Sequence, residues 1–379
     1  MGSDAIARRD VLRFRFHRHQ LDREPDSAKS VTDVGLLDHG AQDTGPDGWA
    51  WALAVCGAPT KALRRGADPP EALAIAWTLR GAPHAYRRRD LSAVATATAP
   101  WSEADAAKRV FDAATSFRRG KIEVLDALGV IASTMRAIVT RPTVKGDMSR
   151  QLSDELGAPY VRYCKPCDAT HIYEQPFRLA APQAGLVLQP GTSPPVLDRV
   201  KGFRAPNCRH LGDEAEPTFD VVRNHLRFFG PTTVADVAGY IDSPKGDVKE
   251  HWPDDVEEVV VDNAKRFVLA GDGDDRPTSD GVVRLLGPFD PFLQLRDREL
   301  LAPDAAQRKD LWRTLGRPGA VVVDGEVLGT WRPKTSGDRL TVTIDLWRRP
   351  RSGERSQVDE HAARLAAFRG VALKAVIVT

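Results

Sequence analysis

Two hairpin turns follow one another closely in the last fifth of the sequence and constrain its fold more than any other feature. Asp324-Gly325 separates two mainly apolar runs at 321–323 and 327–331, and this dipeptide readily supplies the positive φ angles of a tight hairpin turn. Residues 335–338 then join 330–332 to the alternating run 340–344. The pattern predicts two successive β-hairpins. Arg332, Lys334 and Arg339 are grouped at the second tip, where basic side chains can meet phosphate.

Composition is that of an ordinary soluble globular protein. The 379 residues are enough for two to four modules, and 42% of them are hydrophobic and 28% charged. The formal net charge is only +2, so any affinity for nucleic acid must come from local basic patches and not from the overall charge.

We expect a cytoplasmic protein with no membrane partner. The first ten residues, MGSDAIARRD, lack the apolar core of a signal peptide, and no later window approaches the roughly 20 apolar residues that span a bilayer. The cysteines at 56, 164, 167 and 208 are too few and too unevenly spaced for a disulfide framework. Reduced thiols are therefore expected.

Helical periodicity and turn residues predict a first winged-helix module. A basic helix is predicted over 8–21, with its charged face in solvent or on a partner. Leu73, Ile75, Trp77 and Leu79 alternate with small or polar residues, which indicates a half-buried strand. After a turn at 81–83 the chain returns as a basic wing that contains Arg87, Arg88 and Arg89.

Two further helix-turn-helix segments are predicted. In the second, Ser102 and Asp105 form an acidic variant of a capping box before a helix at 104–117, and helices follow at 121–140 and 144–156, the last bearing Lys145 and Arg150. The third has helices at 219–229, 234–241 and 244–252, the last bearing Lys245 and Lys249, and a wing at 256–261 and 266–269. A closing helix at 357–368 and a strand at 371–378 end the pattern.

Two motifs carry a family resemblance: the run from Pro288-Phe289-Asp290-Pro291-Phe292-Leu293-Gln294 to Arg298, and Gly325-Glu326-Val327-Leu328-Gly329-Thr330-Trp331. They resemble the AlkZ/YcaQ-type DNA glycosylases, a bacterial family of tandem winged-helix proteins. The resemblance implies an α+β protein in which tandem winged-helix modules precede a small C-terminal β-barrel-like domain. The boundaries we expect are 1–100, 101–215, 216–280 and 281–379. It also implies a monomer without cofactor whose concave basic face holds duplex DNA.

The family's catalytic motif is Gln-x-Gln or Gln-x-Asp, and this sequence has His39-Gly40-Ala41-Gln42-Asp43-Thr44 in its place. Gln42 aligns with the second position, leaving Gly40 at the first, or with the first, leaving Thr44 at the second. Half of the motif is absent either way. The resemblance implies hydrolysis of N7-alkylated, bulky purine nucleosides in DNA, with Gln42 orienting water and Asp43 or His39 stabilising positive charge. Alternatively, Gln42 bonds backbone at a helix end, and Asp43 only shapes a turn.

Cys164-Lys165-Pro166-Cys167 and His171 have a spacing that can close around zinc, with Cys208 or His210 as fourth ligand. Cysteines without metal and a redox dithiol are the alternatives, and no metal is expected in catalysis. The phosphate contacts we expect are basic residues on wings, helix-turn-helix segments and the hairpin tip: Arg87, Arg88, Arg89, Lys145, Arg150, Lys245, Lys249, Arg332, Lys334 and Arg339.

Two other functions fit the sequence. A non-catalytic winged-helix DNA-binding protein or transcriptional regulator is favoured by the incomplete motif, although the sequence contains no coiled coil for dimerisation. A zinc-organised middle module for protein interaction is the third hypothesis.

Overall fold

The computed structural model describes residues 6–45, 47–65, 70–203, 211–272 and 280–379. It is a mixed α+β protein, with 43% helix and 22% strand. The chain divides into two compact units. The first unit comprises Met1–Pro70, His225–Asp236 and Pro253–Thr379, and the second comprises Glu71–Asn224 and Val237–Trp252. No described helix is both long and apolar enough to span a membrane.

Helices and strands are numbered here in chain order. The described α-helices are α1 Arg8–Arg18, α2 Leu36–His39, α3 Gly48–Val55, α4 Thr60–Leu63, α5 Leu91–Thr98, α6 Glu103–Arg109, α7 Ala113–Arg119, α8 Val124–Ile138, α9 Lys145–Leu156, α10 Glu174–Gln183, α11 Val221–Phe229, α12 Val234–Ile241, α13 Lys245–Glu250, α14 Arg298–Leu301, α15 Ala305–Leu311 and α16 Glu354–Phe368. The described strands are β1 Ala41–Gln42, β2 Leu73–Trp77, β3 Pro83–Arg87, β4 Thr143–Val144, β5 Val161–Cys164, β6 Ala169–Ile172, β7 Leu186–Leu188, β8 Val196–Arg199, β9 Val256–Val261, β10 Ala264–Leu269, β11 Val283–Leu286, β12 Gly319–Val323, β13 Glu326–Ser336, β14 Arg339–Leu346 and β15 Ala372–Val378.

Both predicted hairpins are present in the first unit. Its main sheet has the order β11-β12-β13-β14-β15, antiparallel except for the parallel β14–β15 pair, and this sheet is not closed. Asp324 and Gly325 form the first turn with φ angles of 48° and 88°. A Cβ on Gly325 would lie 2.1 Å from the Leu12 carbonyl oxygen, so α1 leaves room only for glycine. The second hairpin is longer than predicted, because β13 continues to Ser336.

Two tryptophans anchor this sheet to the rest of the first unit. Trp331 and Trp51 are buried, and their indole N–H groups donate to the Leu286 and Leu285 carbonyls, each at 2.8 Å. Trp51 lies in α3, which packs on β11, and its ring centroid is 5.2 Å from that of Phe368 at the end of α16. Helix α3 and the closing helix α16 therefore meet at the sheet.

The first helix was expected to present its basic face to solvent or to a partner, and this was wrong for Arg15. Arg15 is fully buried: its guanidinium donates to Asp297 Oδ2 at 2.7 Å and to the carbonyls of Gly230 and Pro231. A buried guanidinium is stabilised when its donors are satisfied in this way. The helix also ends at Arg18, three residues earlier than expected.

In the second unit, five strands pair antiparallel to their neighbours in the order β3-β2-β7-β8-β4. All five residues of β2 are buried, so the prediction of a half-buried strand was wrong. Trp77 packs in one hydrophobic cluster, while Ala74 and Ala76 pack in another, because apolar side chains cover both faces. Sequence alternation here separates large from small residues and not buried from exposed ones.

Helix predictions in this unit were mostly confirmed, with one break. Ser102 Oγ accepts the Asp105 N–H at 3.0 Å, as the capping prediction required. The expected helix at 104–117 is divided into α6 and α7, because Phe111 adopts a left-handed φ of 52°. The helices expected at 121–140 and 144–156 are α8 and α9.

The third predicted helix-turn-helix segment corresponds to α11, α12 and α13, and α12 has the expected bounds. The predicted wing is the antiparallel hairpin β9–β10.

Candidate active site and nucleic-acid interface

The segment that contains Gln42 connects two helices of the first unit. Helix α2 ends at Gly40, whose φ of 95° turns the chain and whose N–H donates to the Leu36 carbonyl. Ala41 is completely buried and Gln42 is 9% exposed, so strand β1 is held inside the protein. The chain then enters α3 at Gly48.

The amide nitrogen of Gln42 forms a hydrogen bond, whereas its amide oxygen does not do so within the described residues. Its Nε2 donates to Thr44 Oγ1 at 3.0 Å, while its buried Oε1 has no hydrogen-bond partner among the described residues. A buried carbonyl oxygen without a donor is costly unless a water or ligand supplies one. The contact joins the side chains at positions 42 and 44.

Asp43 has the properties of a stronger base than an exposed aspartate. Burial raises the pKa of its carboxyl group. Gly48 has a φ of 44°, and a Cβ there would lie 2.5 Å from Asp43 Oδ1. The carboxylate therefore occupies the space that any larger residue at 48 would need.

A buried ion pair holds the end of this segment. Asp47 Oδ1 accepts from Arg369 Nε at 3.0 Å, and the second carboxylate oxygen accepts from Nη2. The side chains are 7% and 4% exposed. Arg369 is the residue that directly follows α16, so the closing helix fixes the entry into α3.

His39 and Asp38 lie in different surroundings. The His39 ring is buried, with its centroid 5.4 Å from those of both Phe228 and Phe229. Asp38 Oδ2 accepts from Arg227 Nη1 at 2.9 Å. These contacts fix both side chains in the packing of α2 against α11 residues of the first unit.

A narrow cleft adjoins the segment. One wall is formed by Thr44, Asp47, Gly48, Trp51 and Ala52, and the other by Gly287, Pro288, Phe289 and Asp290. Burial raises the pKa of Asp290 to about 7, although its Oδ1 accepts the Phe292 N–H at 3.0 Å. Pro288, Phe289 and Asp290, which belong to a motif that resembles the family, therefore form the wall facing Thr44.

A basic groove of about 880 Å³ lies in the same unit. Six cationic side chains and three acidic ones line it, together with Trp312 and Thr314. The cations are Arg266, Arg296, Arg298, Arg308, Lys309 and Arg313. The excess of positive charge suits a polyanion, because phosphate contacts from arginine and lysine dominate DNA affinity.

Arg317 lies beside the cleft. Its guanidinium is 4.6 Å from the Phe289 ring centroid, and Phe289 is a wall of the cleft. Burial, followed by the charges of Arg317 and Arg296, lowers the pKa of Arg298, which lines the groove. An anion would offset the like charge around Arg298.

Comparison with known proteins identifies the family. The sequence matches the family described as DNA glycosylase AlkZ-like over residues 35–368. The chain belongs to the AlkZ-like DNA glycosylase family. Among solved structures, the DNA glycosylase AlkZ of Streptomyces sahachiroi matches with a TM-score of 0.69 and 19% identity, covering 99% of this chain and 100% of that one. That likeness shows a shared fold. No curated protein sequence matches.

Family membership supports DNA glycosylase function and DNA binding, so the positions of the predicted basic residues can be compared with the groove. Arg332 donates to Asp310 Oδ1 at 2.9 Å, and Arg313 of the groove contacts the same oxygen at 2.7 Å. Lys334 and Arg339 are exposed on the adjoining hairpin. The hairpin cations therefore continue from the groove of this AlkZ-like protein.

The remaining predicted DNA contacts belong to the second unit. Arg87 is buried and 3.5 Å from Asp90, Arg88 donates to the Glu71 and Leu73 carbonyls, and Arg89 is exposed. Lys145 Nζ lies 2.8 Å from Glu174 Oε1, and Arg150 is exposed 3.8 Å from Asp147. Lys245 and Lys249 are exposed on α13. Arg87 and Lys145 thus have structural partners that would compete with phosphate.

Sequence reasoning missed the groove, although a signal was present. Arg296, Arg298, Arg308, Lys309, Arg313 and Arg317 fall within 22 consecutive residues. It also missed Arg369, for which no local pattern exists.

Cys164, Cys167 and His171 come together as the zinc hypothesis required. One ligand atom from each lies within 4.8 Å of the others. A hydrogen bond with His171, followed by hydrogen bonds from Cys167, lowers the pKa of the Cys164 thiol. Cys208 and His210 lie outside the described residues.

Proposed function

We propose that this protein is a monofunctional DNA glycosylase that hydrolyses the N-glycosidic bond of N7-alkylated purines, including bulky ones, in duplex DNA. The observation that carries the proposal is the unpartnered, buried Oε1 of Gln42, held by the Nε2–Thr44 hydrogen bond next to the cleft. An oxygen so placed can accept a hydrogen bond from the attacking water.

The substrate's own charge supplies much of the activation. A purine alkylated at N7 is cationic, so it leaves as a neutral base without protonation. Water attacks C1′ as the bond to N9 breaks, and the water's proton passes to a base. Asp43 is the residue that we propose accepts it, since burial raises the pKa of its carboxyl group and brings it nearer to neutrality.

The same carboxylate would stabilise the positive charge that develops on the sugar before water adds. We retain His39 only as a second candidate for this role, because its ring packs between Phe228 and Phe229.

The basic groove would hold the DNA backbone. A like-charged cluster is formed by Arg298, which lines the groove, with Arg296 and Arg317, whose charges act on it; Arg317 lies over Phe289, which lines the cleft beside Thr44. Phosphates bound by this cluster would bring a nucleotide to the cleft. Arg332, Lys334 and Arg339 would extend the contact, and the second-unit residues Arg88, Arg89, Arg150, Lys245 and Lys249 are proposed as further phosphate contacts.

We further propose that the modules are tandem winged helices with boundaries at 1–100, 101–215 and 216–280, followed by a barrel-like domain at 281–379 in a monomer. The order α11–α12–α13 followed by the β9–β10 hairpin is that of a helix-turn-helix with a wing. Light scattering of the purified protein tests the monomer.

Base release from a duplex with a single N7-alkylguanine tests the function, using one simple and one bulky adduct. Excision should occur with wild type and should fall at least a hundredfold in Gln42→Ala or Asp43→Asn. The exposed Gln151 provides the control Gln151→Ala, which should remain active. Strand breakage should require later alkali treatment, since a monofunctional enzyme leaves an intact abasic strand.

The alternative is a DNA-binding protein without hydrolysis, and the specific observation in its favour is Thr44 at the motif position that carries Gln or Asp in the family. Tight binding of both adducts without abasic-site formation would establish that alternative. Activity unchanged in both Gln42→Ala and Asp43→Asn would instead place the chemistry elsewhere.

A further inference from the structure

The hairpin formed by β5 and β6 brings three soft or borderline ligands together at its tip. Cys164 is the last residue of β5 and pairs with Ala169, the first residue of β6. A single 3-10 turn, Lys165–Cys167, joins the strands, and Asp168 reverses the chain in the left-handed conformation, with φ 48° and ψ 41°. His171 follows on β6, two positions after Ala169 and therefore on the same face of the ribbon.

We propose that Cys164, Cys167 and His171 bind a structural zinc ion through two thiolates and one imidazole. Their ligand atoms already lie within 4.8 Å of one another. In a tetrahedral site with Zn–S of about 2.3 Å and Zn–N of about 2.0 Å, ligand atoms are separated by roughly 3.5 to 3.8 Å. Closure needs side-chain adjustments of about an ångström and no change in the strand register.

The hydrogen bond of the imidazole leaves one ring nitrogen suited to the metal. His171 Nδ1 lies 2.8 Å from the Ile172 carbonyl oxygen, an acceptor, so Nδ1 carries the proton and Nε2 has the lone pair. Zinc-bound histidines commonly hold their second nitrogen in this way, because the bond fixes the tautomer and the ring orientation.

Packing gives no other reason for the three groups to meet. Residues 165–170 are all exposed, and Tyr163 next to Cys164 is 61% exposed. A small exposed loop without an apolar core is stabilised by a bound metal. The free energy of metal binding then adds to the free energy of folding. A redox dithiol would use the two cysteines with His171 beside Cys164, and the metal content of the protein separates it from the zinc site.

The neighbouring carboxylate is already engaged. Glu174 accepts from Lys145 Nζ at 2.8 Å and from Arg178 Nε at 2.6 Å. The described residues therefore provide three ligands, and water would complete a four-coordinate site. Below β6, Ile172 N–H donates to Ser153 Oγ of α9 at 2.9 Å. Zinc would thus stabilise the hairpin against the helix that carries Lys145 and Arg150.

Metal content and ligand spectroscopy test this site independently of glycosylase activity. Protein purified under reducing conditions without added metal should contain about one zinc per chain by mass spectrometry of the metal. Cobalt substituted for zinc should give tetrahedral visible bands and charge-transfer absorption from two thiolates. Cys164→Ser, Cys167→Ser and His171→Ala should each lower the affinity for zinc at least a hundredfold. Cys56→Ala, which removes a buried thiol of the first unit, should retain the zinc.

If a variant fails to fold, the cobalt titration of the wild-type protein decides the question, because that titration needs no substitution. Absence of zinc together with absence of a tetrahedral cobalt spectrum in reduced protein would overturn the proposal. So would full zinc retention in a Cys164→Ser/Cys167→Ser double variant, or a Cys164–Cys167 disulfide in protein trapped directly from cells.

Discussion

Asp47 and Arg369 are separated by 322 positions in the chain, yet their side chains form a buried, two-pronged ion pair at the start of α3. The pair connects the segment that contains Gln42 with the residue after the closing helix. The geometry around Gln42 therefore depends on Arg369, a residue that is more than 300 positions away in the sequence.

Arg369→Ala should destabilise the protein by about 3 to 5 kcal/mol, because it leaves the Asp47 carboxylate buried without its partner. Arg355→Ala on the same helix is the matched control: its pair with Asp359 is about half exposed, so its loss should cost less than about 1 kcal/mol. Urea unfolding of both variants measures the difference. Equal, small losses would show that the pair does not hold the segment.

Asp290→Asn should change the pH dependence of stability. Folding raises the Asp290 pKa to about 7, so between pH 4 and 7 the folded protein keeps a proton that the unfolded chain releases. Wild-type stability therefore decreases over this range relative to the variant, by about 4 kcal/mol in total. The asparagine retains the acceptor for the Phe292 N–H.

Unfolding curves of both proteins from pH 4 to 8 provide this measurement. The buried His19, whose pKa is about 3, contributes the opposite slope in both proteins and cancels in the difference. A stability difference independent of pH would mean that Asp290 is ionised in the folded protein.

Thr44→Val should lower base excision about tenfold, because it removes the hydroxyl group that accepts from Gln42 Nε2 and frees the amide to rotate. The expected size is that of one ordinary hydrogen bond, about 1 to 1.5 kcal/mol. Thr44→Ser keeps the hydroxyl and should retain most of the activity. Single-turnover excision rates distinguish the two variants, and equal rates would remove Thr44 from the site.

Lys309→Ala and Arg313→Ala should weaken binding to duplex DNA and reduce its dependence on salt. Each phosphate contact contributes about one unit to the slope of log affinity against log salt concentration, so each variant should lower that slope by about one. Lys374→Ala is the control, since Lys374 is exposed on β15 and does not line the groove. If the salt dependence is unchanged in both groove variants, the DNA backbone binds another surface of the protein.

Much of the local structure follows from the sequence, because its causes lie within a few residues. Asp324-Gly325 makes its turn through the φ angles that these residues tolerate, and Ser102 caps its helix through a bond to an N–H three positions away. The same holds for the Cys-x-x-Cys hairpin, whose turn brings Cys164, Cys167 and His171 together.

Burial and pairing between distant segments were decided only in the tertiary structure. Arg15 belongs to a face expected in solvent or on a partner but lies against Asp297, and β2 was expected to be half-buried but is covered on both faces. Neither outcome can be predicted from the periodicity of the segment, because burial depends on which other element packs against that segment. Asp47 and Arg369 meet for the same reason, and so do Arg317 and Phe289. Short-range chemistry thus determined the turns, caps and helices, whereas long-range packing determined which charges are buried and which can meet DNA.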